Sequence, residues 1–178
     1  MDPEAPLHKE LLSKIAPFFQ VWEEVSLAAK NGGIVRADLL FIEDKFNFPF
    51  AVAIEIKSKQ PKQPKNYRDT FLQALNYIGA DRIDERVPAY PVKFAMVFQR
   101  RDRWSLNINN VEFINQNIID SIQMDALELA FNSFCVGHIV HDNNELSLRL
   151  CHNKLWSSRK GWSEELRRRI PGLATPST

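Results

Sequence analysis

The sequence predicts an α/β domain with a mixed central sheet flanked by helices, followed by a C-terminal hairpin extension. Three observations point there. Two segments carry apolar residues at three- and four-residue spacing, around residues 7–19 and 66–79. Several short runs rich in Val, Ile and Phe, bounded by Gly, Pro or Asn, read as strands between and after them. The length of 178 residues, 44% hydrophobic and 25% charged, suits one globular domain with an added hairpin or tail.

Taken in order, Leu7, Leu11, Leu12, Ile15, Phe18 and Phe19 form the apolar stripe of a first helix, which Pro17 ends or bends. Residues 21–29 read as a strand, because Asn31-Gly32-Gly33 makes a turn into the clear strand Ile34–Ile42. Glu43 to Pro49 is a loop, and Phe50–Lys57 is the next strand. Pro61 and Pro64 interrupt regular structure. Asn66 is then a good N-cap for a helix reaching about Gly79, with Asp69 favouring its start and Tyr67, Phe71, Ala74, Leu75 and Ile78 as its apolar face. Pro88 and Pro91 bracket a connection to a strand over Val92–Gln99. Residues 104–120 lack a clear period, and 121–132 read as helical. Cys135–His141 and Leu146–His152 make a hairpin around Asp142-Asn143-Asn144-Glu145. A short helix over 162–170 and a disordered tail over 171–178 complete the chain. Residues 1–100 are thus expected to form the core, and 101–170 an extension completing the same domain.

No apolar run approaches the length of a membrane span, and the start lacks the order of a signal peptide. Two cysteines exclude a disulfide scaffold. A cytoplasmic protein that meets no membrane is the expectation. Net charge is +1, yet the charges are unevenly placed. Lys57, Lys59, Lys62, Lys65 and Arg68 fall in one acid-free stretch. Arg100, Arg101 and Arg103 form a second cluster, and Lys154 to Arg169 a third. Each alone reads as a solvated surface; together they suit one face for a polyanion.

Asp38, Glu55 and Lys57 carry the chemistry. Glu55 and Lys57 are two apart in a strand and share a face with Ala51 and Ala53, while Val52, Ile54 and Ile56 point the other way. If the two strands pair antiparallel, Asp38 lies across from Glu55. Two adjacent carboxylates stay ionised only beside a neutralising charge. Oxygen donors without His or Cys favour Mg²⁺ or Mn²⁺ over zinc. Such a cation with a neighbouring lysine is equipment for hydrolysing a phosphodiester.

Arg36-Ala37-Asp38, a gap of sixteen residues, then Glu55-Ile56-Lys57 resembles the PD-(D/E)xK nuclease superfamily, with Ala37 in place of the usual proline. The element order over residues 7–99 is similar to its restriction-endonuclease-like core. Gln73-Ala74-Leu75-Asn76-Tyr77 on the following helix resembles the Gln-x-x-x-Tyr of the RecB-like branch. The resemblance implies a Mg²⁺- or Mn²⁺-dependent nuclease acting on DNA, with RNA as the alternative polymer. Asp38, Glu55 and the Ile56 carbonyl would bind metal. Lys57 would act on the attacking water or the transition state, and Gln73 and Tyr77 would support the site. The first helix would lend an acid, with Glu10 the best match and Glu23 or Glu24 as substitutes. An iron–sulfur cluster is not expected, for want of four suitable cysteines. Lys59, Lys62, Lys65 and Arg68 would guide the nucleic-acid backbone.

Three other readings stand beside this one. Asp38, Glu55 and Lys57 could be an ordinary surface ion-pair cluster. The chain could be a catalytically inactive or partner-dependent nuclease-fold subunit of a DNA-processing complex. Cys135, His138, His141, Cys151 and His152 could form a zinc site on the late hairpin, although the spacing fits no standard ligand set and His138 falls opposite Cys135.

Overall fold

The structure, a computed structural model, describes residues 4–44, 49–57, 64–99, 134–142, 145–151 and 154–156. Helix α1 (Ala5–Ile15) starts two residues earlier than the apolar stripe suggested. Pro6 sits in its first turn, where a missing N–H costs nothing. It stops two residues before Pro17, which has no N–H to give to the Ser13 carbonyl one turn back. Leu11 and Ile15, one turn apart, are its buried pair.

Strands β1 (Gln20–Ala28) and β2 (Ile34–Glu43) form an antiparallel hairpin. Gly32 takes a φ of 86° in the turn, a conformation that glycine adopts without a Cβ clash. The Asn31 side chain accepts from the Gly33 N–H at 3.0 Å. Strand β3 (Phe50–Lys57) runs antiparallel to β2 with the expected bounds. Helix α2 (Pro64–Leu75) follows. It begins at Pro64, not after an Asn66 cap, because proline is preset for a first helical position. It ends at Leu75, and Asn76 to Gly79 form a turn closed by Gly79 at φ 70°. Tyr77 therefore lies in this turn and not on the helix.

Strand β4 (Asp81–Arg82), which the sequence pattern did not signal, pairs with β1. Strand β5 (Val92–Gln99) is parallel to β3, so β3–α2–β5 is a crossover unit. Strands β6 (Val136–Asp142) and β7 (Glu145–Cys151) make the expected hairpin, and β8 (Lys154–Trp156) adds three residues beyond it. Because β6 pairs parallel with β5, the hairpin extends the same sheet. The result is one mixed sheet in the order β4-β1-β2-β3-β5-β6-β7-β8. The expectations for 104–120, 121–132, 162–170 and the tail lie outside the described residues. Among the described residues, no helix is long and apolar enough to cross a membrane.

The sheet has a core on each face. On one, Leu11 and Ile15 of α1 meet Leu39, Phe41, Phe50, Val52, Ile54, Phe94 and Met96. On the other, Phe71, Ala74 and Tyr77 meet Ala51, Ala53, Ala95 and Val97. Small alanines thus lie under α2, while the α1 side is filled by rings such as Phe50 and Phe94, 5.5 Å apart. Truncating one of these rings to alanine would cost about 3–5 kcal/mol. Strand β3 is central and covered on both faces, which explains its nearly unbroken apolar run. Its exception is Glu55.

Candidate active site

Glu55 is 1% exposed, in a strand otherwise buried as hydrocarbon. A carboxylate in such a place needs partners. The Lys57 ammonium, two residues on along the same face, ion-pairs with Glu55 Oε1. The Tyr77 hydroxyl, reaching up from the turn after α2, hydrogen-bonds Glu55 Oε2. The same hydroxyl lies 2.9 Å from the carbonyl oxygen of Arg36 on β2. It has one proton for two acceptors. The Gln73 side chain, one turn earlier on α2, also hydrogen-bonds it. Burial, then the negative charge of Glu55, raises the Tyr77 pKa above its ordinary value, so the hydroxyl stays protonated.

Asp38 reaches the same spot from β2. The β2–β3 ladder pairs Glu43 with Phe50 and proceeds to Leu39 with Ile54, where it ends. Extending this register by one step places Asp38 opposite Glu55. No further backbone pair forms; instead Asp38 Oδ2 accepts from the Ile56 N–H at 2.6 Å. Strand β3 meanwhile stays paired with β5 through Lys57 and Gln99. The mouth of the site is thus a notch where β2 leaves β3 and side chains take over from the ladder. Burial pushes the Asp38 carboxyl up to about 6, helped by the charge of Glu55 and opposed by the Ile56 N–H and Lys57. Burial alone would pull the Lys57 ammonium down. The hydrogen bond and charge of Glu55 outweigh it, so the net shift is upward and Lys57 is firmly protonated.

The candidate acids of α1 and β1 each have a nearby basic group. Glu10 pairs with Lys14 across one turn at 3.9 Å. Glu23 pairs with His8 at 3.2 Å, and Glu24 with Arg36 at 2.9 Å. Glu4, the N-cap of α1, adds a lesser negative charge near Asp38 and Lys57, behind burial and Glu55. The signal for it was Pro6: a proline marks a first helical turn, and so places Glu4 at the helix mouth.

Of the basic segment, Lys59 and Lys62 lie outside the described residues. Lys65 is in the first turn of α2, and Arg68 is exposed beside Asp69 at 3.1 Å. On the late hairpin, His138 is fully buried against Phe71, with ring centroids 6.3 Å apart. Cys135 packs with the core on the α1 side. The two therefore fall on opposite faces, as their spacing suggested. Among the described residues, no group of three or more His, Cys, Asp or Glu is gathered to hold a metal. At the notch, two carboxylates meet.

No protein-family model, curated protein or solved structure matches the chain.

The donor set nonetheless has a definite chemistry. Asp38 and Glu55 supply oxygen only, and one of them is held reluctant to ionise by burial and by the other. A hard divalent cation would relieve that repulsion with the ligand type it prefers.

Proposed function

We propose that this chain is a Mg²⁺- or Mn²⁺-dependent nuclease that hydrolyses DNA phosphodiester bonds on a restriction-endonuclease-like core. The observation that carries the reading is the notch itself. Asp38 replaces a ladder bond to Ile56, directly beside the buried Glu55–Lys57 pair.

Asp38 and Glu55 would hold the cation, with the Ile56 carbonyl as a third oxygen and Glu4 at the rim. A bound cation would neutralise charge on the phosphate and acidify an attacking water. Lys57 is held protonated by Glu55, so its part is to donate to a phosphoryl oxygen as negative charge builds, not to act as a base. Tyr77 fixes Glu55 from behind, and Gln73 orders the Tyr77 hydroxyl. The segment from Lys59 to Arg68 would carry the nucleic-acid backbone towards the notch, since it follows directly on the strand bearing Lys57.

A second reading draws on one specific feature. Lys57 and Tyr77 already occupy both oxygens of Glu55, so the buried carboxylate is balanced without a cation. That arrangement suits a subunit that binds nucleic acid or a protein partner and has no turnover of its own. Cleavage by the isolated protein separates the two. Circular and linear, single- and double-stranded substrates are incubated with Mg²⁺, Mn²⁺ or EDTA. The nuclease reading expects cutting that EDTA abolishes. Uncut substrate under every metal condition would favour the inactive subunit.

A further inference from the structure

The hairpin that presents Asp38 has an irregularity at Asp38 itself. Strand β1 pairs with β2 from Gln20–Ile42 to Glu23–Leu39, and again from Val25–Ala37 to Ala28–Ile34. The one pair missing between these runs is Glu24 with Asp38. No residue is inserted, because the register is the same on both sides of the gap.

The faces of both strands reverse there. On β2, Leu39 and Phe41 belong to the core under α1, but Val35 and Ala37 belong to the core under α2. Residues two apart in a regular strand share a face, so Ala37 and Leu39 cannot both be regular. On β1, Val21 packs on the α1 side and Trp22 on the α2 side, as alternation requires. Val25 and Leu27 then also lie on the α2 side, where alternation from Val21 would put them opposite. Each strand has turned over at one position, and the two positions face each other. Glu24 supplies the turn: its φ is 54°, in the left-handed region that a side-chain-bearing residue enters only at a cost.

We propose that Glu24 is a positioning residue for Asp38. Its left-handed backbone rotates the hairpin at the Glu24–Asp38 step and turns the Asp38 carboxylate along the sheet towards Ile56, instead of onto a sheet face. The strain is held because Val25 and Leu27, which follow Glu24, are fully buried. The role acts through the backbone. The Glu24 side chain lies out at the surface with Arg36, both substantially exposed. The geometry holds whatever the site does; its consequence for metal affinity rests on the nuclease reading.

Glu24→Gly and Glu24→Ala test this, because both lose the charge and the Arg36 pair while only glycine relieves the left-handed penalty. Glu24→Val is the harsher third variant. Two quantities are read on folded protein: hydrogen exchange of the Ile56 amide, with the Ile54 amide as internal control, and Mn²⁺ affinity by calorimetry. The wild-type glutamate already pays the left-handed penalty and alanine pays about the same, so Glu24→Ala should stay within about twofold of wild type in both readouts. Glu24→Gly, relieved of the penalty, should protect Ile56 better than alanine does. Glu24→Val, whose branched side chain all but excludes the left-handed region, should lose about fivefold or more in Ile56 protection and in Mn²⁺ affinity. Should valine prevent folding, glycine against alanine decides alone, and equal Ile56 protection in those two overturns the proposal. Wild-type Ile56 protection in a folded valine variant overturns it as well. So does an equal loss in glycine and alanine, since charge would then be the cause. A wild-type protein that binds no Mn²⁺ strikes the nuclease reading only; the contrast at Ile56 still decides the positioning role.

Discussion

Asp38 is destabilising where it stands. Its carboxyl is raised from 3.8 to about 6, chiefly by burial, so the folded protein binds this proton more tightly than the unfolded chain. The sign follows from linkage. Below pH 3.8 Asp38 is protonated in both states and costs nothing. As pH rises from 3.8 through about 6, the unfolded chain ionises first and stability is lost; above that window the full penalty persists. Asp38→Asn keeps an oxygen for the Ile56 N–H and removes the charge. In EDTA at pH 8 it should be more stable than wild type by about 1–2 kcal/mol, discounted for the solvent that reaches this partly exposed group, and the gain should vanish near pH 4. Melting curves at both pH values check this. A variant less stable than wild type at pH 8 would mean that Asp38 is an ordinary structural ion partner. Residue types and spacing made Asp38, Glu55 and Lys57 legible in the sequence, because an acid inside a buried apolar strand has few bland explanations. Glu4 was legible only as the start of α1, through Pro6; that its charge reaches Asp38 depends on where α1 sits against the sheet.

The strands of the core were readable almost to the residue. β3 is an apolar run, broken only by Glu55, that starts after Pro49 and ends at Lys57, and β2 begins after a Gly-Gly turn. The reversal at Glu24 and Asp38 was not readable, because alternation is the signal used to find a strand and here both strands break it together. The end of α2 was also misjudged. Tyr77 and Ile78 continue the helical apolar pattern, yet they pack from a turn that must carry the chain back to β4. This changes what Tyr77 is expected to do. Its ring is 1% exposed and part of the core, and its hydroxyl serves Glu55. Tyr77→Phe keeps the ring but leaves a buried carboxylate short of a donor, which should cost about 1–3 kcal/mol and reduce cleavage as well. Gln73 is exposed, so Gln73→Ala should move stability by no more than about 0.5 kcal/mol while lowering cleavage less than Tyr77→Phe. Urea unfolding alongside a cleavage assay reads both. Equal stability in Tyr77→Phe and wild type would argue that the hydroxyl does not support Glu55.

At the scale of the molecule, among the described residues, one sheet with a helix on each face has an opening where β2 and β3 part, and the basic stretch from Lys57 to Arg68 follows on from it in sequence. If that stretch tracks a phosphate backbone, replacing Lys59, Lys62 and Lys65 together with glutamine should weaken DNA binding and lower the slope of log affinity against log salt by about 2–3. An unchanged slope would remove the segment from the interface. The most decisive measurement is a calorimetric Mn²⁺ titration of wild type, Asp38→Asn, Glu55→Gln and Lys57→Met, run beside a plasmid cleavage assay. If the notch is a metal-dependent nuclease site, wild type binds Mn²⁺ and cuts. Asp38→Asn and Glu55→Gln bind at least about tenfold more weakly, because a hard cation prefers charged oxygen. Lys57→Met binds as well as wild type or better yet cuts at least about a hundredfold more slowly, since the phosphate loses its donor. Mn²⁺ binding unaffected by either carboxylate substitution, or wild-type cleavage by Lys57→Met, would contradict the assignment.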